Sequence, residues 1–463
     1  MNRNTRRITM LAEGRVGPTL FKLSAPAIAG MVVMAVYNVV DTIFVSLLRD
    51  TTAIAATGIV FPLFQLIGAV GLTFGMGAAS VISRKLGAND YDAANEAGAT
   101  AFYSSVGVGL ALSIAGAIFI TPILTLFGAT ETILAEATLY GRVILGGSVF
   151  QVVNMTTNNL LRAEGASGHS SVGQILGAVL NIALDPIFIF VLDMGVTGAA
   201  VATVIAQAGS TLFLLTYYAL RKGVLAPTDP RNVRLRLATY RAIMALGFPT
   251  FVRQILGSLS FGVLNNAAGA YGESAIAAIS VTLRIFMLMF MSLIGLAQGL
   301  QPLVGYNYGA KAFDRVRAAI RIVFATTLTI GLVAGSAGFV LAPSIIRFFA
   351  PQDPAVVEMG SFAMRAMSVA LIPVGLVVMF GGIFQALGDG RSALVLAAGQ
   401  QGAFLIPLVL VLPLWLGIDG VFLAQPAGFL LAFTLGLVLM IRTYGKLREE
   451  EAATAPFSSA AVP

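Results

Sequence analysis

The chain has 463 residues, 57% of them hydrophobic and only 11% charged, with no cysteine and a formal net charge of +7. Soluble domains carry about 25% charged residues, so a water-soluble fold is excluded, as are a disordered chain, a disulfide scaffold and thiol chemistry. A membrane crossing uses roughly 20 apolar residues, and a dozen crossings fit this length with short loops.

Apolar runs broken by charge or Gly/Pro predict twelve segments, at residues 17–48, 53–82, 94–120, 134–160, 170–191, 196–220, 240–268, 275–307, 316–343, 358–386, 392–415 and 420–441. The N-terminus is basic, with Arg3, Arg6, Arg7, Arg15 and Lys22 before and at the start of the first segment. This segment is too long for a signal-peptide core and shows no cleavage site, so it reads as a retained helix.

Basic residues gather in alternate connections: Arg84 and Lys85; Arg162; Arg221, Lys222, Arg231, Arg234, Arg236 and Arg241; Lys311, Arg315, Arg317 and Arg321; Arg391; Arg442, Lys446 and Arg448. The opposite connections hold little beyond Arg49 and Arg347. The positive-inside rule therefore predicts a multi-pass protein of the cell (inner) membrane with both termini cytoplasmic. The basic loop at 221–241 lacks interleaved aromatics, so nucleic acid is not an expected partner.

A shift of about 222 residues superimposes the halves. Ala53-Ile54-Ala55-Ala56 recurs as Ala275-Ile276-Ala277-Ala278, and Gly77…Gly87-Ala88…Tyr91-Asp92 as Gly299…Gly309-Ala310…Phe313-Asp314. Arg162-Ala163-Glu164-Gly165 answers Gln385-Ala386-Leu387-Gly388, and Pro26 has Pro249 as near-counterpart. Repeats of six spans enter from the same side and are parallel, with the working cavity between or within the bundles. The predicted division is an N-terminal six-helix lobe (1–222), a cytoplasmic linker (223–239) and a C-terminal six-helix lobe (240–463).

Nearly all carboxylates fall between segments; Asp41 and Asp185 do not. Acids within spans mark ion pathways or proton relays. Tyr37, Asn38 and Asp41 share a helical face by their spacing of three and four, as do Asn181 and Asp185; Asn154 and Asn158 share a face of the fourth span, and Thr203 enters from the sixth. Such oxygens in a dry bundle can hold a proton or a hard cation such as Na⁺. The second half has Ile406-Pro407 where the first has Asp185-Pro186, so ion coupling is expected in the first bundle alone.

Pro26, about one turn inside the first span, either bends the helix when Asp41 is protonated or holds a static kink. Arg253 and Arg284 either line a cavity or snorkel. His169 is expected in a solvated turn, and the run Met287 to Met291 in lipid-facing packing or pliable cavity lining. Gly71 and Gly75 match a small-xxx-small packing pattern. Walker, zinc, nucleophile-elbow and redox motifs are absent, so neither an enzyme nor a resident cofactor or metal beyond Na⁺ is expected.

Twelve spans in two parallel halves, Pro26 and Asp41 in the first helix, Gly77…Gly87-Ala88, Leu161-Arg162-Ala163-Glu164-Gly165 and Asn181…Asp185-Pro186 together resemble the multidrug and toxic compound extrusion (MATE) family, in its prokaryotic branch with an N-terminal cation site. The resemblance covers about residues 15–445. It implies an all-α protein of two six-helix lobes in a V, a monomer that exports organic cations or amphiphilic drugs in exchange for H⁺ or Na⁺ by alternating access. It implies Asp41, Asp185, Asn181, Thr203 and Asn158 at the coupling ion, with Tyr37 and Pro26 in the same region, and Asn154, Asn38, Arg284 and Met287 as substrate-cavity candidates. Other branches carry an acidic site in the seventh and eighth helices; here the seventh has no carboxylate, and Glu273 is expected in the loop after it. A flippase for lipid-linked precursors shares the plan and is the alternative reading.

Overall fold

The computed structural model describes residues 3–48, 50–234, 236–351 and 353–454; Arg49 lies outside them. The described residues form α1 (Arg3–Glu13), α2 (Val16–Leu47), α3 (Thr51–Gly87), α4 (Tyr91–Leu126), α5 (Glu131–Gly146), α6 (Ser148–Ala163), α7 (Ser167–Pro186), α8 (Gly195–Ala219), α9 (Leu237–Gly269), α10 (Glu273–Gly309), α11 (Phe313–Phe349), α12 (Pro354–Leu387), α13 (Gly390–Ala398), α14 (Leu405–Leu416) and α15 (Ile418–Thr454). Among the described residues eleven helical stretches are long and apolar enough to cross a membrane, and α5 with α6, bent by 45° at their junction, make a twelfth. Each predicted segment falls on one of them.

The acids between segments have a local task. Asp50, Asp90, Asp353 and Asp389 stand immediately before helices, and their side chains accept backbone N–H bonds from the first turns, Asp50 from Thr52 at 2.8 Å and Asp389 from Ser392 at 3.0 Å. Such caps satisfy donors that have no intrahelical partner, each worth about 1 kcal/mol. Glu273 is not in a loop: it opens the first turn of α10, where a carboxylate suits the helix dipole.

Helices α2 to α8 pack on one another and α9 to α15 do likewise; the sets meet chiefly where α2 lies against α10 and α3 against α9 and α10. Gly71 and Gly75 belong to the first set, where a Cβ on either would come within about 2.9 Å of α6, the close packing their spacing predicts. Between the sets, Ser24 Oγ donates to the Leu296 carbonyl at 3.3 Å, Gln301 Nε2 to that of Met76 at 3.4 Å, and Ser80 Oγ to that of Gln385. These contacts all lie toward the basic end. Beyond them Asn38, about four turns past Ser24 on α2, and Leu288, about two turns from Leu296 on α10, are exposed, so the lobes join at the basic end and are uncovered beyond it.

Helix α1 spans this joint. Arg7 donates to the Tyr217 hydroxyl and, at 3.1 Å, to the Lys222 carbonyl in the first set. The Leu11 and Gly14 carbonyls at the other end of α1 accept from Arg315 Nη2 at 3.1 and 2.7 Å in the second.

Pro26 corrects an expectation. It lies ten residues beyond Val16, about three turns in rather than one, and α2 runs unbroken through it. The irregular backbone is instead at the fifth span, where Pro186 ends the α-helical part and Ile187–Val191 continue as a π-turn; proline has no N–H to give to the preceding turn.

Candidate functional site

Four helices bring oxygen atoms together in the first lobe. Tyr37 and Asp41 come from one face of α2, Asn181 and Asp185 from one face of α7, Thr203 from α8 and Tyr140 from α5. Asp185 is fully buried and Asn181 nearly so, whereas Asp41 is half-buried. Their position is off-centre: Asp41 is six residues from the end of α2, about 9 Å along the axis, on the side away from the basic end.

Asn181 organises the cluster. In the one amide orientation that satisfies both neighbours, its nitrogen donates to Asp185 Oδ2 at 3.0 Å and its oxygen accepts from the Thr203 hydroxyl at 3.2 Å and backbone N–H at 3.1 Å. The other Asp185 oxygen, Oδ1, is buried without a donor. The Asp41 and Asp185 carboxyl groups lie within hydrogen-bonding reach of each other, yet two ionised carboxylates have no proton to share. One added proton completes that bond. A small cation between the oxygens answers the same deficit, and the donor set of carboxylates, amide and hydroxyl is that of a hard ion. Among the described residues no group of three or more His, Cys, Asp or Glu side chains gathers as a metal site.

Tyr37 and Tyr140 stand beside both acids. Tyr140 was not singled out by sequence, although Glu136 stands one turn before it on α5, the same spacing of four that pairs Tyr37 with Asp41 and Asn181 with Asp185.

Asn154 and Asn158 belong to a different set. Asn158 donates to Asn154 Oδ1 at 2.9 Å and accepts from Ser170 Oγ at 2.8 Å, while Asn154 donates to Ser210 Oγ at 2.9 Å and Thr211 Oγ1 at 3.2 Å. Neither bonds to Asp41 or Asp185, because their face of α6 turns toward the basic halves of α7 and α8. Arg162, buried one turn further, donates to the Asn158 carbonyl at 3.2 Å and reaches across the lobes to Gln298 Oε1. Asn38 is exposed and its amide returns to the Met34 carbonyl at 2.8 Å. Arg284 and Met287 are exposed on α10, Arg284 fourteen residues before Gln298 and so on the face that meets α2 lower down. His169 is not in a free turn but in the first turn of α7, stacked on Phe213 at 4.5 Å between centroids.

Two sets of membrane-spanning helices joined at one end, with a fully buried acid in one of them, are the architecture of a membrane transporter. The MatE family model matches residues 26–187 and again 249–410, once in each half, and the chain belongs to the MATE family. The multidrug export protein MepA of Staphylococcus aureus (strain NCTC 8325 / PS 47) is 30% identical over 407 residues, 87% of this chain and 88% of that protein. MepA of Staphylococcus haemolyticus is 28% identical over 415 residues, 88% of this chain and 90% of that one. A crystal structure of MATE in complex with MaL6 superimposes with a TM-score of 0.90 at 26% identity, covering 96% of this chain and 99% of that one.

Proposed function

We propose that this chain is a multidrug exporter that moves amphiphilic organic cations out of the cell by alternating access, in exchange for H⁺ or Na⁺. The carrying observation is the Asp41–Asp185 pair, in which Asp185 is fully buried and its Oδ1 has no donor. Filling that place removes carboxylate repulsion and lets α2 draw against α7; emptying it restores the repulsion. Coupling requires that the ion and the exported compound favour different arrangements of the lobes, since a ligand that binds both equally shifts nothing.

The division into a lobe of residues 1–222, a linker of 223–239 and a lobe of 240–463 fits this scheme, because each set of helices moves as a unit about the joint at the basic end. The positive-inside rule puts that end and both termini in the cytoplasm, so the arrangement described is the outward-open one. The chain works as a monomer in the cell membrane, without a resident cofactor. A buried acid pair is suited to cation exchange, which favours drug export over lipid flipping.

The test is transport in proteoliposomes with pH and sodium gradients imposed separately, for the wild type and the Asp41→Asn and Asp185→Asn variants. Ethidium movement under one gradient, abolished in both variants, is the expected result. Undiminished gradient-driven transport in both would remove the pair from the mechanism.

A further inference from the structure

Arg253 is the seventeenth of the 33 residues of α9, about 24 Å along the axis from either end of the helix. Among the described residues it makes no hydrogen bond and no ion pair. Ionisable side chains at such depth are rare and face a partner or a polar cavity. The repeat places Gly30 or Met31 at the equivalent position of the first lobe, so helix packing there does not call for a charge.

The guanidinium lines a cavity between α9, α12 and α13, with Thr250, Gln385 and Gln400 as its other polar walls and Gly381 leaving it open on the α12 side. Gln385 Nε2 is already committed to Thr250 Oγ1 at 2.9 Å and to the Leu246 carbonyl at 3.3 Å. The Thr250 hydroxyl therefore accepts one bond and keeps its proton to give. Gln400 is buried on the π-turn Gly399–Phe404, a local widening often found at functional sites. About 30 Å³ is open to the centre of a water-sized sphere, which at roughly 10–15 Å³ per water is room for one small headgroup and not for a whole drug.

We propose that this cavity binds the anionic group of an amphiphile, a carboxylate or a phosphate, with Arg253 as its counter-ion and Thr250 and Gln400 beside it. Arginine supplies donors only, in a planar fork that matches both groups. The inference rests on the export reading and extends it: cations are served by the acidic lobe, and zwitterions gain a second anchor in the other.

The test uses the full chain purified in dodecyl maltoside, which has no charged headgroup. Fluorescence anisotropy measures binding of rhodamine 19, a zwitterion with a free carboxylate, and of rhodamine 6G, the ethyl ester of the same dye; dioctanoyl phosphatidate is titrated as competitor. In Arg253→Met, rhodamine 19 or phosphatidate affinity is expected to fall at least tenfold while rhodamine 6G stays within twofold, and Arg253→Lys recovers part of the loss. A loss confined to rhodamine 19 assigns the site to the carboxylate of a transported compound; one confined to phosphatidate assigns it to a lipid headgroup. Unchanged affinity for both anionic ligands, or an equal loss for the ester, overturns the proposal while leaving the export reading in place. A wild type that binds neither dye overturns both.

Discussion

Gly87 on α3 and Gly309 on α10 hold equivalent places in the two halves, and each is pressed on the other's helix. A Cβ at Gly87 would stand 1.9 Å from the Tyr306 carbonyl oxygen, and one at Gly309 1.9 Å from that of Arg84. Both obstacles are backbone, so a methyl group can be accommodated only by parting the helices. Gly87→Ala and Gly309→Ala are therefore expected to shift the lobes away from the arrangement joined at the basic end. The chain has no cysteine, so a single Ser80→Cys reports on the joint without background. Maleimide labelling of that position is expected to rise roughly fivefold in either alanine variant, equivalent to about 1 kcal/mol in the closed-to-open balance. Unaltered labelling would mean that these glycines do not hold the lobes together.

Asn181 is the donor that Asp185 has in the described structure. Asn181→Ala leaves a fully buried carboxylate with neither oxygen bonded, a cost of about 1–3 kcal/mol. Initial efflux rates at a fixed ion gradient are expected to fall roughly tenfold at normal expression. Thr203→Val, which removes one of the two bonds that orient the amide, is expected to fall less. Equal rates in Asn181→Ala and wild type would show that the amide is not part of ion binding.

Asn158 separates two readings. Its amide is spent on Asn154 and Ser170, so Asn158→Ala is expected to lower stability by about 2 kcal/mol through unpaired buried groups while the ion dependence of efflux stays that of the wild type. Thermal unfolding in detergent reads the first and gradient-driven transport the second. A variant of unaltered stability that has lost its ion dependence would return Asn158 to the coupling site.

The spans were legible because twelve apolar runs are separated by basic, acidic or Gly/Pro stretches, and because Asp41 and Asp185 break two of those runs at positions where a charge has no other reason to be. Periodicity within one helix correctly grouped Tyr37 with Asp41 and Asn181 with Asp185. It likewise grouped Asn154 with Asn158, but spacing tells which residues share a face and not which neighbour that face meets; α6 turns this polar face to the basic ends of α7 and α8. The same limit hid Tyr140, whose spacing of four links it to Glu136 on α5 and not to the acids of α2 and α7. Asp50, Asp90, Asp353 and Asp389 were legible only as loop residues, and the structure adds that they cap helices.

Glu164, at the end of α6 and outside the spans, is fully buried and takes backbone N–H bonds from Val224 and Leu225 at 2.7 and 3.3 Å, tying the connection between the lobes to the first of them. Burial pushes its carboxyl from 4.5 up to about 7, against the pull of those two N–H bonds. Between these values the folded chain holds a proton that the unfolded chain has released. Stability from this group is therefore complete below about pH 4.5, declines as pH rises to about 7, and is flat above. The loss is at most about 3.5 kcal/mol, at about 1.4 kcal/mol per pH unit. Glu164→Gln holds the neutral form at every pH, so thermal unfolding between pH 5 and 8 is expected to lose this part of its pH slope, with the largest gain over wild type at the alkaline end. Parallel slopes in the two proteins would show that Glu164 is ionised throughout, held by the linker N–H groups despite its burial.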